Sequence, residues 1–197
     1  MESLKISIAI VTRGEVLIET MGCLIHSIEK IAPHRIALNL QKGTYIHDLR
    51  NRAFQEAVDS KADYLMFIDT DVCFGPEAII QLVKRNKDII GASYNLKSLP
   101  LISVVKPLGP DGKQSKDPNA CIPGDEMSEV FAVATGFMLI KMQKVRKMKY
   151  PFNFGINPDG TMIGEDVNFC KRCKEELGLK IWCDPTIKVG HIGEYLY

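Results

Sequence analysis

Two carboxylates at a spacing of two, Asp69 and Asp71, close an apolar run from Tyr64 to Ile68. Five β-favouring apolar residues are too few for a buried helix and read as a central strand covered on both faces. At the end of such a strand the Asp69-Thr70-Asp71 spacing lets both carboxylates point at one spot in the crevice beyond the sheet. That spot suits a hard divalent cation, Mg2+ or Mn2+, which takes oxygen ligands and is held by one or two carboxylates together with substrate phosphates. The plainer alternative is a strand-to-turn junction in which either Asp caps local backbone N–H groups. An unpartnered carboxylate ending an apolar strand is costly to desolvate, which favours the functional reading.

Further residues carry chemistry. Glu165-Asp166 opens a predicted helix, where the macrodipole favours carboxylates with or without catalysis. Helix-end stabilisation is expected to lower the pKa of Asp166 and keep it ionised at neutral pH. A single histidine, His191, follows a late strand, as a ligand or as a surface imidazole. Arg50 offers a planar fork for phosphate or a base edge, or pairs along its helix with Asp48 or Glu56. Thr12 and Arg13 lie just past the first strand, where an open α/β sheet binds its ligand. Gly136, after Thr135, permits close backbone approach or serves as a turn glycine.

The 197 residues fit one domain, with 46% apolar and 25% charged residues and a net charge of +1. That balance argues against a nucleic-acid binder relying on bulk positive charge. Six scattered cysteines fit reduced thiols in a cytoplasmic setting better than a disulfide framework. Cys170-x-x-Cys173 has no second pair at zinc-finger spacing, so partly buried thiols are expected there. The apolar run between Met1 and Thr12 is too short for a signal peptide or a membrane span.

The elements that must position these residues alternate. Strands are expected at Lys5 to Val11, Arg35 to Leu40, Tyr64 to Ile68 and Asp88 to Ala92, with helices at Val16 to Ile31, Ile46 to Ser60 and Pro76 to Arg85. Such alternation predicts an α/β fold with a mainly parallel central sheet and helices on both faces. Prolines and glycines then break the pattern from Leu99 to Met127, which reads as a strand near Leu101 to Val105 and a long loop over 106–127. Val130 to Ala134 and Phe137 to Ile140 read as strand material. The basic stretch Lys141 to Lys149 reads as a solvated helix or a peripheral contact to an anionic membrane surface. A helix from Glu165 to Leu177, ended by Gly178, precedes short strands at Lys180 to Cys183 and Thr186 to Val189.

Taken in order, the strand-helix start, Arg50-Asn51, Asp69-Thr70-Asp71, Glu165-Asp166 and His191 resemble the glycosyltransferases of the A-type fold, most nearly compact family 2-like members. The resemblance covers nearly the whole chain. It departs from the family in having no Asp-Asp-Asp at the metal site and no Gln-x-x-Arg-Trp motif, so a polysaccharide synthase is not expected. It implies a single Rossmann-like domain, 1–197, with a nucleotide-sugar-binding half over 1–95 and an acceptor-binding half over 96–197.

By that resemblance Mn2+ or Mg2+ is held by Asp71 directly, by Asp69 nearer the ribose, and by His191 as a third protein ligand. The donor is a UDP- or GDP-sugar, and the acceptor is a glycan, lipid-linked or protein hydroxyl. Thr12, Arg13 and Thr70 wall the nucleotide pocket, Arg50 and Asn51 lie near the donor, and Gly136 approaches a sugar. Asp166 is the general base on the acceptor hydroxyl, with Glu165 orienting a sugar. Inversion is preferred over retention; a nucleotidyltransferase and a non-catalytic nucleotide-sugar-binding domain are the other readings.

Overall fold

The computed structural model describes residues 3–115, 117 and 125–193. Strand β1 (Lys5–Thr12) is followed by helix α1 (Ile18–Ile31), β2 (Arg35–Lys42), α2 (Ile46–Asp59) and β3 (Tyr64–Ile68). β1 pairs in parallel with β2 on one side and β3 on the other. Right-handed crossovers in this 2-1-3 order place α1 and α2 on opposite faces. All five residues of β3 are buried, as its unbroken apolar sequence requires of a strand with both faces covered.

Short β4 (Val72–Phe74) leads to α3 (Ala78–Arg85) and β5 (Ile89–Ala92). After a long excursion come β6 (Ser128–Val130), β7 (Phe137–Lys141), the short α4 (Met142–Val145), the hairpin β8 (Gly155–Ile156) and β9 (Met162–Ile163), α5 (Glu165–Leu177), β10 (Ile181–Asp184) and β11 (Val189–His191). The main sheet has seven strands in the order β2-β1-β3-β7-β5-β10-β6, and β11 pairs separately with β4. The sheet is mainly parallel, with β1, β2, β3, β5 and β10 running in one direction; β7 lies antiparallel between β3 and β5, and β6 is antiparallel to β10. The physical reason is the connection. β7 is reached through the irregular segment after β5 and not through a βα crossover, so it returns in the opposite sense.

Two expected strands differ. Residues 101–105 form no strand; Asn95 and Ser103 make a single antiparallel bridge, with Val104 N–H donating to the Tyr94 carbonyl at 3.0 Å, and Pro100 and Pro107 interrupt any longer ladder. The last strand begins three residues later than Thr186, because the Thr186 amide and hydroxyl both donate to Asp184 Oδ1 at 3.0 and 2.6 Å and close a turn. Of the expected loop over 106–127, residues 116 and 118–124 lie outside the described residues. Its described part is tied down at Lys106, which bridges Ala132.

An aromatic cluster sits under the carboxyl end of β3. Phe152 stacks on Phe169 of α5 at 4.6 Å between ring centroids and meets Phe67 of β3 edge-on at 5.1 Å and Phe54 of α2 at 6.4 Å. Asn51 clamps the same segment. Its amide donates to the Phe152 carbonyl at 2.7 Å and accepts from the Phe152 N–H at 3.0 Å. α2, β3 and α5 are thereby locked together. Gly178 ends α5 at φ 65°, a left-handed turn that glycine adopts without cost.

Candidate active site

Three locked elements deliver the floor of a cleft. From α2, Arg50 is 7% exposed and reaches between two carboxylates: one guanidinium nitrogen donates to Glu165 at the start of α5, the other lies 3.4 Å from Asp69 at the end of β3. The expected helix pairings go elsewhere. Asp48 pairs with Arg52 at 3.1 Å and Glu56 accepts from Gln41 at 2.9 Å. Arg50 Nε is buried and finds no hydrogen-bond partner among the described residues. A buried donor without an acceptor is costly, and the guanidinium is held in spite of it by its two carboxylate partners.

The cleft beside it measures about 310 Å3 and is walled by Thr12, Arg13, Arg50, Asp69, Thr70 and Asp71. Thr12 spends its hydroxyl on shaping the wall, donating to the Glu15 carbonyl at 2.7 Å and accepting from Gly14 N–H at 3.0 Å. The Thr70 carbonyl accepts from Leu17 N–H at 2.9 Å and from the Thr20 hydroxyl at 3.1 Å, which fixes the Asp-Thr-Asp turn to α1. Asn51 does not line this cleft. Its expected place near the donor is corrected to a positioning one, because both ends of its amide are used on Phe152.

The rim is built differently. His191 on β11 faces Asp71, with Nε2 3.3 Å from Oδ1, while its Nδ1 lies 3.0 Å from the Asn95 carbonyl. A carbonyl can only accept, so Nδ1 carries a proton, and Nε2 is the ring nitrogen turned toward the carboxylate. The 3.3 Å separation matches that of adjacent ligands of an octahedral Mg2+-type ion, which lie about 3 Å apart. The other oxygen of Asp71 accepts from Lys97 Nζ at 2.6 Å. Asp69 is drawn to Arg50 instead. Among the described residues no group of three or more His, Cys, Asp or Glu side chains stands where it could hold a metal ion.

Two residues went unread in the sequence, Tyr94 and Lys97. Tyr94 is buried, its ring 5.5 Å from that of His191 in an edge-on contact. Burial pushes its hydroxyl well above the ordinary range, with Asp69 adding to the shift. A Cβ on Gly136 would sit 2.0 Å from the Tyr94 hydroxyl oxygen and 2.7 Å from Asp69 Oδ2, so the glycine is required by the close approach of these two side chains. Neither residue had a sequence signal, since a lone Tyr and a lone Lys in a proline-punctuated segment fit no period.

Asp166 accepts from its neighbour Val167 N–H at 2.7 Å. Its pKa lies above the ordinary carboxylate value, chiefly through desolvation, with Arg50 opposing and Glu165 adding to the rise. The expected lowering by the helix end is thus overturned: removal from water outweighs the dipole. Asp69 is likewise raised by desolvation against the pull of Arg50. Four carboxylates (Asp69, Asp71, Glu165, Asp166) against two cations (Arg50, Lys97) leave the site two negative charges in excess when His191 is neutral.

Other sequence features lie apart. Lys141 pairs with Tyr64 at the opposite end of β3 from Asp69, so the basic stretch lies at the far end of the sheet from the cleft. Cys170 and Cys173 are both fully buried, and burial pushes the thiols of Cys170 and Cys183 up to about 12. Among the described residues no helix is long and apolar enough to cross a membrane.

No family model and no curated protein matches the chain. Solved structures do. The crystal structure of A197 from STIV superposes with a TM-score of 0.65 at 18% identity, over 97% of this chain and 87% of that one. GalNAc-T7, solved with UDP, GalNAc and Mn2+, gives a TM-score of 0.56 at 13% identity, over 97% of this chain and 44% of that one. The fold is of the glycosyltransferase A-type. This chain spans less than half the length of GalNAc-T7, and at these identities the likeness is one of fold.

Proposed function

We propose that the protein is a metal-dependent, inverting glycosyltransferase of the hexosyl-transferring kind, moving a sugar from a nucleoside-diphosphate sugar to a hydroxyl of a glycan, lipid-linked or protein acceptor. The observation that carries the reading is the facing pair of Asp71 and His191 beside a cleft lined by Arg50, Asp69 and Asp71. It is supported by the likeness to GalNAc-T7, whose structure holds UDP, GalNAc and Mn2+. On this reading residues 1–95 bind the nucleotide sugar and residues 96–197 the acceptor.

The chain's own residues divide the work. Asp71 and His191 would hold the divalent cation, with Asp69 nearer the ribose. Bound there, Mn2+ or Mg2+ supplies Lewis-acid neutralisation of charge on the departing diphosphate. Arg50 lines the cleft beside the donor while its guanidinium keeps Glu165 and Asp69 in place. Thr12, Arg13 and Thr70 wall the nucleotide pocket. Asp166 takes the proton from the attacking acceptor hydroxyl at a carboxyl oxygen, and its raised pKa brings it closer to working pH, as a base requires. Gly136 lets Tyr94 and Asp69 pack against its backbone at the edge of the site.

The test is a panel of UDP- and GDP-sugars with Mn2+ and simple acceptors, scored by thermal shift and by products. Donor that binds only with metal raises stability by mass action. Release of nucleoside diphosphate with a new glycoside of inverted anomeric configuration is expected. Pyrophosphate release, a retained anomer, or metal-independent binding without turnover would each overturn the assignment.

A further inference from the structure

Outside the cleft, two thiols from separate elements meet. Cys23 on α1 and Cys73 on β4 lie with their sulfurs 3.3 Å apart, within non-bonded contact. Cys73 is exposed and Cys23 partly so. The surrounding backbone holds them there. The Thr20 hydroxyl, one turn before Cys23, donates to the Val72 carbonyl at 2.9 Å, and Phe74 N–H lies 3.4 Å from the Cys23 sulfur. α1 and β4 are therefore held with the two sulfurs in contact, about 1.3 Å from the roughly 2.05 Å of a disulfide bond. The other described cysteines differ: Cys170, Cys173 and Cys183 are buried in the core.

We propose that Cys23 and Cys73 form a disulfide, a modification site that braces α1 against the strand following the Asp69-Thr70-Asp71 turn. The oxidant is a low-molecular-weight disulfide such as oxidised glutathione. The exposed Cys73 thiolate attacks one sulfur of that disulfide, a Cys73–glutathione bond forms, and one glutathione leaves with the proton Cys73 lost. The Cys23 thiolate then attacks the Cys73 sulfur and expels the second glutathione with the second proton. Two cysteine thiols are oxidised and one glutathione disulfide is reduced to two thiols.

The bond closes a loop of 50 residues, from α1 through β2, α2 and β3 to β4. Loop closure of that length restricts the unfolded chain strongly. β4 also pairs with β11, Cys73 opposite Gly190 and Val72 opposite His191, so the brace reaches the strand that presents His191. That last consequence rests on the proposed reading of Asp71 and His191. The crosslink itself does not.

The experiment treats the full chain with oxidised glutathione or with dithiothreitol, alkylates free thiols with iodoacetamide, and maps tryptic peptides by mass spectrometry beside the melting temperature. Linked peptides carrying Cys23 and Cys73 are expected, with a melting temperature roughly 10 °C higher in the oxidised protein. Cys23→Ser and Cys73→Ser should each abolish both the linkage and the shift, while Cys121→Ser keeps them. Alkylation of both Cys23 and Cys73 after oxidation, a Cys73–Cys121 linkage, or a shift that survives in Cys73→Ser would overturn the proposal. None of these outcomes depends on the donor or on transfer.

Discussion

The floor and the rim of the cleft are built on different principles. Arg50, Asp69, Glu165 and Asp166 come from α2, β3 and α5, which the Phe54–Phe67–Phe152–Phe169 cluster and the Asn51 clamp hold together. Asp71 stands in the turn just before the three-residue β4, His191 ends the three-residue β11, and Lys97 lies in an irregular segment whose Leu96, Leu99 and Leu101 stand exposed. Groups that must keep a fixed mutual geometry are placed on packed elements, while groups that exchange a partner sit where the backbone is cheaply displaced. Lys97 on Asp71 is such a partner, a cation occupying one oxygen of the residue proposed to receive a metal.

The largest effect should come from breaking the floor. Phe152 is fully buried at the centre of the cluster, and Phe152→Ala should cost about 3–5 kcal/mol in denaturant unfolding. A loss under 1 kcal/mol would mean that the aromatic cluster does not hold the three elements together.

Next in size is the chemistry of the floor. Asp166→Asn keeps size and much of the hydrogen bonding but removes basicity, so transfer should fall roughly 10²-fold or more. The raised pKa also sets a pH signature. A carboxyl whose folded pKa exceeds its ordinary value of 3.8 contributes stability that is present below 3.8 and is lost as pH rises through the folded value. Across that window the wild type should lose stability relative to Asp166→Asn, and the acid limb of its transfer rate should lie above the ordinary carboxylate range. A stability difference that is flat with pH would remove the desolvation argument.

Much of this arrangement was legible in the sequence, for reasons that differ by residue. β3 and α5 were read with their observed bounds, because an unbroken apolar run and a helix ending in Gly178 are strong local signals. Asp69, Asp71 and His191 stood out by their places at strand ends. The direction of β7 was not legible, since a long irregular excursion carries no handedness. Asn51 was misplaced because helical period gives a face and not a partner. The pKa of Asp166 was misjudged because the helix end is written in the sequence and desolvation by distant segments is not. Tyr94 and Lys97 acquire their roles only when the segment after β5 folds back against β11.

The smallest effect should appear on the rim. Lys97 is partly exposed, so Lys97→Met should change stability by no more than about 0.5 kcal/mol. With its competing cation gone, Asp71 should bind Mn2+ roughly two- to fivefold more tightly, as read by calorimetry with the metal alone. Weaker Mn2+ binding would instead make Lys97 a support of the metal site.

Floor and rim are separated most directly by donor affinity in the presence of Mn2+, measured side by side for the wild type, Asp71→Ala and Asp166→Asn, with circular dichroism confirming the fold of each. Asp71→Ala should lose Mn2+-dependent nucleotide-sugar binding altogether, and Asp166→Asn should retain it near the wild-type level. Unchanged metal-dependent binding in a folded Asp71→Ala protein would contradict the assignment of the metal and donor to the rim.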